Sequence, residues 1–437
     1  MKRFAITTLG CKLNQADSEV VREAFERAGY AMVPFSEEAD VYVVNTCTVT
    51  GATDHQSRQL LRRALREKER RPGVRVVAAG CYPQADAEGL IRMAPGLDLV
   101  VGALDREMIP TLLESAEPGS TRSFVRDISA EREFMPTPVE RFAGRTRAFL
   151  RIQEGCNRRC TYCIVPTARG RERSAPPEAV LSQARAFIDA GVKEIVVTGV
   201  HIGRYGAGLA ETGSFASLLT SLASIENLRR IRLSSLDPAE FTDELYDALA
   251  GAGRALCPHF HISIQSGDDS IIRAMGRSGA ADDVRNTVSR LRSIYPDAAV
   301  GADIIVGFPG ETDENFENTF RLAEELRLSH MHVFRYSPRP GTPAAGFDNQ
   351  TPEHVKKERS AALLNLRARL GREFREHFIG RKMEVLFETR RCRDTGLLTG
   401  LTRNYIRVTA HGPDSLMGEI TDITPTESTA TGLTSPE

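Results

Sequence analysis

Short apolar runs alternate with amphipathic patterns over the first hundred residues. Apolar runs at 4–9, 40–45, 74–79 and 98–101 predict four strands. Residues 56–70 place leucines on one face and predict a helix. Asn14 is predicted to cap an earlier helix that ends at Gly29. Strands that alternate with helices are typical of a parallel sheet covered on both faces. Residues 1–102 are therefore predicted to form an α/β domain with a doubly wound parallel sheet.

The same alternation returns after residues 103–144, which read as a connecting segment. Six further strands are predicted at 148–153, 194–199, 230–234, 259–265, 299–307 and 330–336. Six strand–helix units predict a partial (β/α)6 barrel over residues 145–345. Residues 346–379 are predicted to be a linker helix, and residues 380–423 a small β-barrel. The Thr- and Ser-rich residues 424–437 are predicted to be disordered.

Composition narrows the class of protein. The 437 residues carry a net charge of -1 and 41% hydrophobic residues, so any polyanion must meet a local basic surface. No apolar run is long enough to span a membrane, and the N-terminal run is too short for a signal peptide. A cytoplasmic location is expected. Eight cysteines in such a chain favour metal or redox chemistry over disulfides.

Three closely spaced cysteines follow the first predicted barrel strand, where barrel active sites are built. They are Cys156, Cys160 and Cys163, with Tyr162 before the last. Three thiolates would bind three irons of a 4Fe-4S cluster and leave the fourth iron open. The alternative is a zinc site that lacks its fourth ligand, or unrelated thiols. The loop position and the spacing together favour the cluster.

Another three cysteines each follow a predicted strand of the N-terminal sheet, namely Cys11, Cys47 and Cys81. The carboxyl ends of parallel strands meet at one edge, so these thiols are expected to converge. Scattered buried thiols are the alternative. The repeated position at strand ends favours a second cluster site.

The local sequences resemble the radical S-adenosylmethionine (SAM) methylthiotransferases over nearly the whole chain. The resemblance is carried by Gly10-Cys11-Lys12-Leu13-Asn14-Gln15, Asn45-Thr46-Cys47, Gly80-Cys81, Cys163-Ile164-Val165-Pro166, Gln265-Ser266-Gly267 and Gly307-Phe308-Pro309-Gly310-Glu311. The C-terminal module, with Gly400-Leu401-Thr402, is similar to the RNA-binding TRAM domain. Lys12-Leu13-Asn14 after Cys11 is similar to the branch that acts on N6-threonylcarbamoyladenosine at position 37 of tRNA.

The resemblance implies two 4Fe-4S clusters and SAM as cofactors. The Cys156, Cys160 and Cys163 cluster would generate the radical, and the Cys11, Cys47 and Cys81 cluster would carry the sulfur. SAM contacts are expected from Tyr162, Thr198, Gly199, Ser263, Gln265 and Gly307. His201 is interpreted as structural, because the chemistry requires no base there.

A tRNA anticodon loop and an unidentified one-electron donor are the implied partners. Basic residues outnumber acidic ones in 351–379 and 380–410, and the second region is predicted to bind RNA. The basic helix 56–71 is interpreted as a solvated face. Arg169, Arg171 and Arg335 are the candidates to pair with the carboxylate of the threonylcarbamoyl group.

Two rival interpretations remain open from the sequence. The same chemistry could act on N6-isopentenyladenosine tRNA or on a ribosomal-protein aspartate. A non-catalytic iron–sulfur RNA-binding sensor is the alternative from another class. No P-loop and no H-E-x-x-H motif is present, so nucleotide hydrolysis and zinc proteolysis have no support.

Overall fold

The computed structural model describes residues 1–117, 119–140, 142, 146–209 and 213–435. The N-terminal domain is a six-stranded parallel sheet in the order β2-β1-β3-β4-β5-β6. Its strands are β1 Arg3–Thr8, β2 Ala31–Met32, β3 Val41–Thr46, β4 Arg75–Gly80, β5 Leu99–Val101 and β6 Arg122–Phe124. Its helices are α1 Lys12–Arg27, α2 Gly51–Arg70, α3 Cys81–Met93 and α4 Ile109–Glu114. Separate apolar cores cover the two faces, which confirms the doubly wound sheet.

Two details of this domain differ from the sequence expectation. Helix α1 begins at Lys12 after Cys11, so the prediction that Asn14 caps it is wrong. The Asn14 side chain instead donates to the carbonyl oxygens of Leu9 and Thr46 and ties two loops together. Strand β6 lies in the predicted connecting segment and extends the sheet, although its three residues carry no long apolar run.

The central domain is an open barrel whose strands are parallel, except for the short strand Arg173–Ser174, which pairs antiparallel with the first barrel strand at the edge of the sheet. Its strands are β7 Arg147–Glu154, β8 Arg173–Ser174, β9 Glu194–Gly199, β10 Arg230–Leu233, β11 Ser235–Leu236, β12 His259–Gln265, β13 Ala299–Val306 and β14 His330–Arg335. Its helices are α5 Val165–Arg169, α6 Pro177–Asp189, α7 Phe215–Ala223, α8 Asp243–Gly251, α9 Asp269–Ala274, α10 Ala281–Ile294 and α11 Asp313–Glu325. Ser234 alone separates β10 from β11, which pair with β9 and β12 respectively. The six predicted barrel strands are all present.

A long helix and a second sheet complete the chain. Helix α12 spans Glu353–Glu376 and packs on β14. The C-terminal sheet is mostly antiparallel, in the order β18-β15-β16-β17-β20-β19. Its strands are β15 Met383–Phe387, β16 Leu398–Thr402, β17 Arg407–Ala410, β18 Ile420–Ile423, β19 Glu427–Ser428 and β20 Leu433–Ser435.

The prediction that residues 424–437 are disordered is wrong for the part that the structure describes. Strand β20 pairs in parallel with β17, and Leu433 is buried in the core of this sheet. One apolar residue among Thr and Ser is enough to order this segment, because Leu433 packs against a core that the other strands of the sheet already form. Residues 436 and 437 lie outside the described residues.

The C-terminal sheet is docked on the amino-terminal end of the barrel by buried arginines. Arg232 pairs with Glu194 inside the barrel and donates to the carbonyl oxygens of Thr402 and Arg403. Arg230 pairs with Glu384 of β15. The opposite, carboxyl-terminal end of the barrel carries the cysteines. No helix in the described part of the chain is long and apolar enough to cross a membrane.

Candidate active site

The central cysteines lie in the loop between β7 and α5, at the carboxyl end of the first barrel strand. A tight turn at Gly155 starts this loop, with φ at +70°. A Cβ atom on Gly155 would lie 1.8 Å from the carbonyl oxygen of Arg171, so no other residue fits without a shift of the backbone. The Cys156 amide then donates to the carbonyl oxygen of Gly170 at 3.0 Å. The sequence therefore folds this loop back on itself and presents three thiols to one space.

That space is a cavity of about 310 Å³ on the carboxyl-terminal face of the barrel. Cys156, Cys160 and Cys163 line it together with three of the predicted SAM contacts, Tyr162, Ser263 and Gln265. Gln265 adopts a left-handed backbone with φ at +66°, which is uncommon outside functional sites and turns.

The other three predicted SAM contacts, Thr198, Gly199 and Gly307, are not among the described residues that line the cavity. Thr198 is buried, and a Cβ on Gly199 would meet the Gln153 backbone. A Cβ on Gly307 would meet the side chain of Lys356. Their neighbours Val200 and Ile305 line the cavity instead. The role of all six residues toward SAM stays a prediction.

Charged groups that the sequence did not single out organise one wall of this cavity. Asp237 accepts hydrogen bonds from both Arg158 and Arg277, and Arg277 also donates to the carbonyl oxygen of Ser263. Asp303 accepts from His261 at 2.9 Å and from His332 at 3.0 Å. Burial alone would raise the pKa of Asp303, but these two histidines hold it below its usual range. An anionic group is therefore present at neutral pH on the cavity wall.

His201 lies against the first cysteine of the central group. Its Nδ1 atom is 3.8 Å from Cys156 Sγ, and its Nε2 atom pairs with Glu240. Burial disfavours the charged ring, yet the bonds to Cys156 and Glu240 raise the pKa of His201 to about 9. His201, interpreted from the sequence as structural, lies on the cavity wall beside a thiol.

The N-terminal cysteines follow three neighbouring strands whose ends lie level. Thr8 of β1 pairs with Asn45 of β3, and Thr46 pairs with Gly80 of β4. Cys47 and Cys81 come directly after these strand ends, and Cys11 follows the end of β1 by three residues. A Cβ on Gly10 would lie 2.8 Å from Cys47 Sγ, which shows how closely the first two loops approach. The convergence expected from the strand pattern is present.

Both cysteine groups suit a cluster better than a single ion. Among the described residues, only His261, Asp303 and His332 bring three ligand atoms within 4.8 Å of one another. The sulfurs of each cysteine group are thus spread more widely, as expected when each thiolate binds a different iron. Burial raises the pKa of Cys47 and of Cys163 to about 12. Both thiols carry protons in the metal-free chain and release them when iron binds.

The segment after Cys47 joins the two cysteine groups in space. Val49 and Thr50 line the same cavity as the central cysteines. The Gly51 amide donates to Ser337 Oγ at 3.2 Å, just beyond the last barrel strand. The N-terminal domain therefore forms one wall of the barrel cavity.

The three arginines predicted to pair with the threonylcarbamoyl carboxylate lie in different environments. Arg169 is buried and donates to Cys81 Sγ at 3.2 Å, and it also contacts Asn14, Asp17 and Glu154. Arg171 is exposed and does not line the cavity. Arg335 lines the cavity, and its half-exposed side chain lies 3.8 Å from exposed Glu353.

Comparison with known families and proteins adds independent findings. Residues 150–323 match the model of the radical SAM superfamily, and residues 3–102 match that of the uncharacterized protein family UPF0004. The chain is 39% identical over 427 residues to the threonylcarbamoyladenosine tRNA methylthiotransferase MtaB of Bacillus subtilis, covering 97% of this chain and 93% of the relative. It is 36% identical to the tRNA-2-methylthio-N(6)-dimethylallyladenosine synthase of Pelotomaculum thermopropionicum, covering 99% and 97%.

The fold is also similar to a solved radical SAM enzyme. The methyltransferase TsrM from Kitasatospora setae, in a structure with cobalamin and a [4Fe-4S] cluster bound, superposes with a TM-score of 0.56. The two chains are 16% identical, and the match covers 79% of this chain and 77% of that one. At this identity the likeness concerns the fold alone.

Proposed function

This chain belongs to the radical-SAM tRNA methylthiotransferase family, and on this basis we propose that it converts N6-threonylcarbamoyladenosine at position 37 of tRNA to its 2-methylthio derivative. Its cofactors are SAM and 4Fe-4S clusters. The observation that carries the proposal is the shared cavity, which the segment after Cys47 and the central cysteines line together. Sulfur insertion needs a radical source and a sulfur source at one substrate atom, and a cavity that both domains line supports such an arrangement.

The hydrogen on C2 of adenine is not acidic, so an acid–base residue cannot remove it. Two 4Fe-4S clusters would be held by the two cysteine groups, Cys156, Cys160 and Cys163 and Cys11, Cys47 and Cys81. Together with SAM, these clusters would supply the radical chemistry and the sulfur. The protein must hold the reacting atoms in line and keep water away from them.

The side chains of the cavity suit those tasks. Tyr162, Ser263 and Gln265 offer polar groups close to the central cysteines, as SAM binding requires. Asp237 holds Arg158 and Arg277 in fixed orientations. Val200, Ile305 and Phe334 add apolar surface to the wall and help to exclude water.

Arg335 is the residue that we assign to the threonylcarbamoyl carboxylate. A guanidinium pairs with a carboxylate through two parallel hydrogen bonds. Arg335 lines the cavity, and its only ion pair among the described residues is a 3.8 Å contact with the exposed carboxylate of Glu353. The buried contacts of Arg169 leave it no freedom to bind substrate.

The C-terminal sheet offers cations for the tRNA backbone. Within the described chain, most basic residues of 380–410 bind internal partners, such as Arg391 with Asp414 and Arg403 with carbonyl oxygens of the barrel. Arg390, Arg393 and Arg407 are exposed and show no ion pair there. They are the residues that we assign to tRNA phosphates. A tRNA substrate also supports the expected cytoplasmic location.

Mass spectrometry of tRNA nucleosides from cells with and without the gene tests the proposal. Deletion should abolish 2-methylthio-N6-threonylcarbamoyladenosine and leave its precursor. Re-expression of the wild-type chain should restore it, and the Cys156→Ala chain should not. Loss of the isopentenyladenosine derivative instead would support the runner-up substrate, which relatives of similar identity act on. Unchanged nucleosides would exclude a tRNA substrate.

A further inference from the structure

Arg169 of the barrel domain reaches the cysteine group of the N-terminal domain. It ends helix α5, six residues after Cys163, and only 2% of its surface is exposed. Its Nε atom donates to Cys81 Sγ at 3.2 Å, and its guanidinium also pairs with Asp17 at 2.7 Å. One side chain thus joins the thiol group of one domain to the loop that carries the other.

Two polar side chains contact the Cys81 sulfur. Asn14 Oδ1 lies 3.6 Å from Cys81 Sγ, and Arg169 Nε donates to the same sulfur. An N–H of a guanidinium makes a charge-assisted hydrogen bond to a thiolate that binds iron.

This region carries more positive than negative charge. Among the described residues, the carboxylates of Asp17 and Glu154 pair with four arginines, of which Arg106, Arg169 and Arg173 are buried and Arg151 is partly buried. Excess positive charge away from water is costly unless an anion compensates it. A thiolate-bound iron–sulfur cluster on Cys11, Cys47 and Cys81 is such an anion.

The residue after Arg169 contacts the other cysteine group. The carbonyl oxygen of Gly170 accepts from the Cys156 amide at 3.0 Å. Two consecutive residues therefore bind Cys81 through a side chain and Cys156 through the backbone.

We propose that Arg169 is a positioning residue that orients the Cys81 thiolate and raises the reduction potential of the cluster on Cys11, Cys47 and Cys81. Hydrogen bonds and positive charge at cluster sulfurs stabilise the reduced, more negative state. The inference rests on the two-cluster part of the proposed function, and it is independent of which nucleoside is modified.

The test is a redox titration of the anaerobic holoenzyme, followed by electron paramagnetic resonance without tRNA. The signal that changes when SAM is added belongs to the cluster on Cys156, Cys160 and Cys163. In Arg169→Gln the midpoint potential of the other signal should fall, while that of the SAM-sensitive signal stays. Iron content and circular dichroism verify that the fold and both clusters are intact.

Two further variants keep the test decisive. Arg169→Lys retains the charge but lacks the planar fork whose separate nitrogens bond Cys81 and Asp17, so a smaller fall is expected. This variant replaces Arg169→Gln if that chain does not fold. Arg173→Gln removes a cation of the same buried group that contacts Glu154 and no thiol, and should shift the potential less. Unchanged potentials in both Arg169 variants, or an equal shift in Arg173→Gln, would overturn the proposal. A potential shift in a chain that modifies no tRNA would contradict the proposed function alone.

Discussion

Arg339 and Asp54 form a buried ion pair between the barrel domain and the N-terminal domain, with Arg339 Nη2 2.6 Å from Asp54 Oδ2. Arg339 also donates to Thr48 Oγ1 at 2.8 Å, and Thr48 directly follows Cys47. The pair therefore holds the segment that carries Cys47 against the cavity.

Breaking this pair should destabilise the docked N-terminal domain. Arg339→Met leaves the Asp54 carboxylate buried without its partner, which typically costs about 3–5 kcal/mol. We expect a lower urea midpoint for the full chain and faster loss of iron. Arg339→Met combined with Asp54→Leu should recover much of the stability, because no charge is then stranded. An unchanged midpoint in the single variant would contradict the structural role of the pair.

The sequence predicts the main elements and the strand-end positions of the cysteines because those signals are local. Cys47 and Cys81 each follow an apolar run, and parallel strands bring such ends together. The contact between Arg169 and Cys81 joins residues 88 apart in different domains, and no periodicity encodes it. Leu433 was missed for a related reason, since a single apolar residue forms a strand only when the rest of the sheet is in place.

Apart from the three cysteines, Gly155 should be the least replaceable residue of the central loop. In Gly155→Ala the new Cβ would overlap the Arg171 carbonyl oxygen in a left-handed backbone, so the loop must move and the Cys156 thiol with it. We expect selective loss of the SAM-sensitive cluster signal. Gly191→Ala is the matched control, because its φ is +85° with no atom within 4 Å, and the backbone cost alone is about 1–2 kcal/mol. Normal cluster content in Gly155→Ala would refute this prediction.

Substitution of Arg335 should weaken use of the acidic nucleoside. A hydrogen bond to a charged group contributes about 1.5–3 kcal/mol, so Arg335→Gln should lower kcat/KM for threonylcarbamoylated tRNA by roughly 10- to 100-fold. Arg335→Lys should retain part of the activity, since it keeps the charge without the planar fork. Arg321→Gln, an exposed arginine of α11 paired with Glu317, is the control. Steady-state kinetics that show equal losses in Arg335→Gln and Arg321→Gln would count against the assignment.

Removal of the exposed cations of the C-terminal sheet should change how tRNA binding depends on salt. Each phosphate contact adds about 0.9 to the magnitude of the slope of log K against log salt concentration, where K is the association constant for tRNA. In a variant with Arg390, Arg393 and Arg407 changed to Gln, the magnitude of that slope should fall by roughly 2–3. Fluorescence anisotropy with labelled tRNA at several salt concentrations measures it. Arg285→Gln removes an exposed cation of α10 that pairs with Glu325 and should leave the slope unchanged. A slope that stays the same in the triple variant would place the tRNA elsewhere.

His330 should make the fold sensitive to mild acid. Burial, followed by the positive charges of His261 and His332, lowers the pKa of His330 to about 3. In the unfolded chain this histidine binds a proton near pH 6.5, whereas in the folded chain it stays neutral down to about pH 3. The free energy of unfolding is therefore highest above pH 6.5 and falls as the pH drops toward 3. Between these two pH values, this one group changes the free energy of unfolding by about 1.4 kcal/mol per pH unit.

The measurement compares urea midpoints of wild type and His330→Gln between pH 7.5 and 5. Glutamine retains polar atoms toward Ser329 and His261 but takes up no proton, so the variant should lose less stability on acidification than wild type. His354→Gln removes an exposed histidine at the start of α12 and should follow the wild-type curve. Since thiol protonation at the cysteines is common to all three chains, it cancels from the difference. Parallel curves for His330→Gln and wild type would mean that the barrel interior accepts the proton after all.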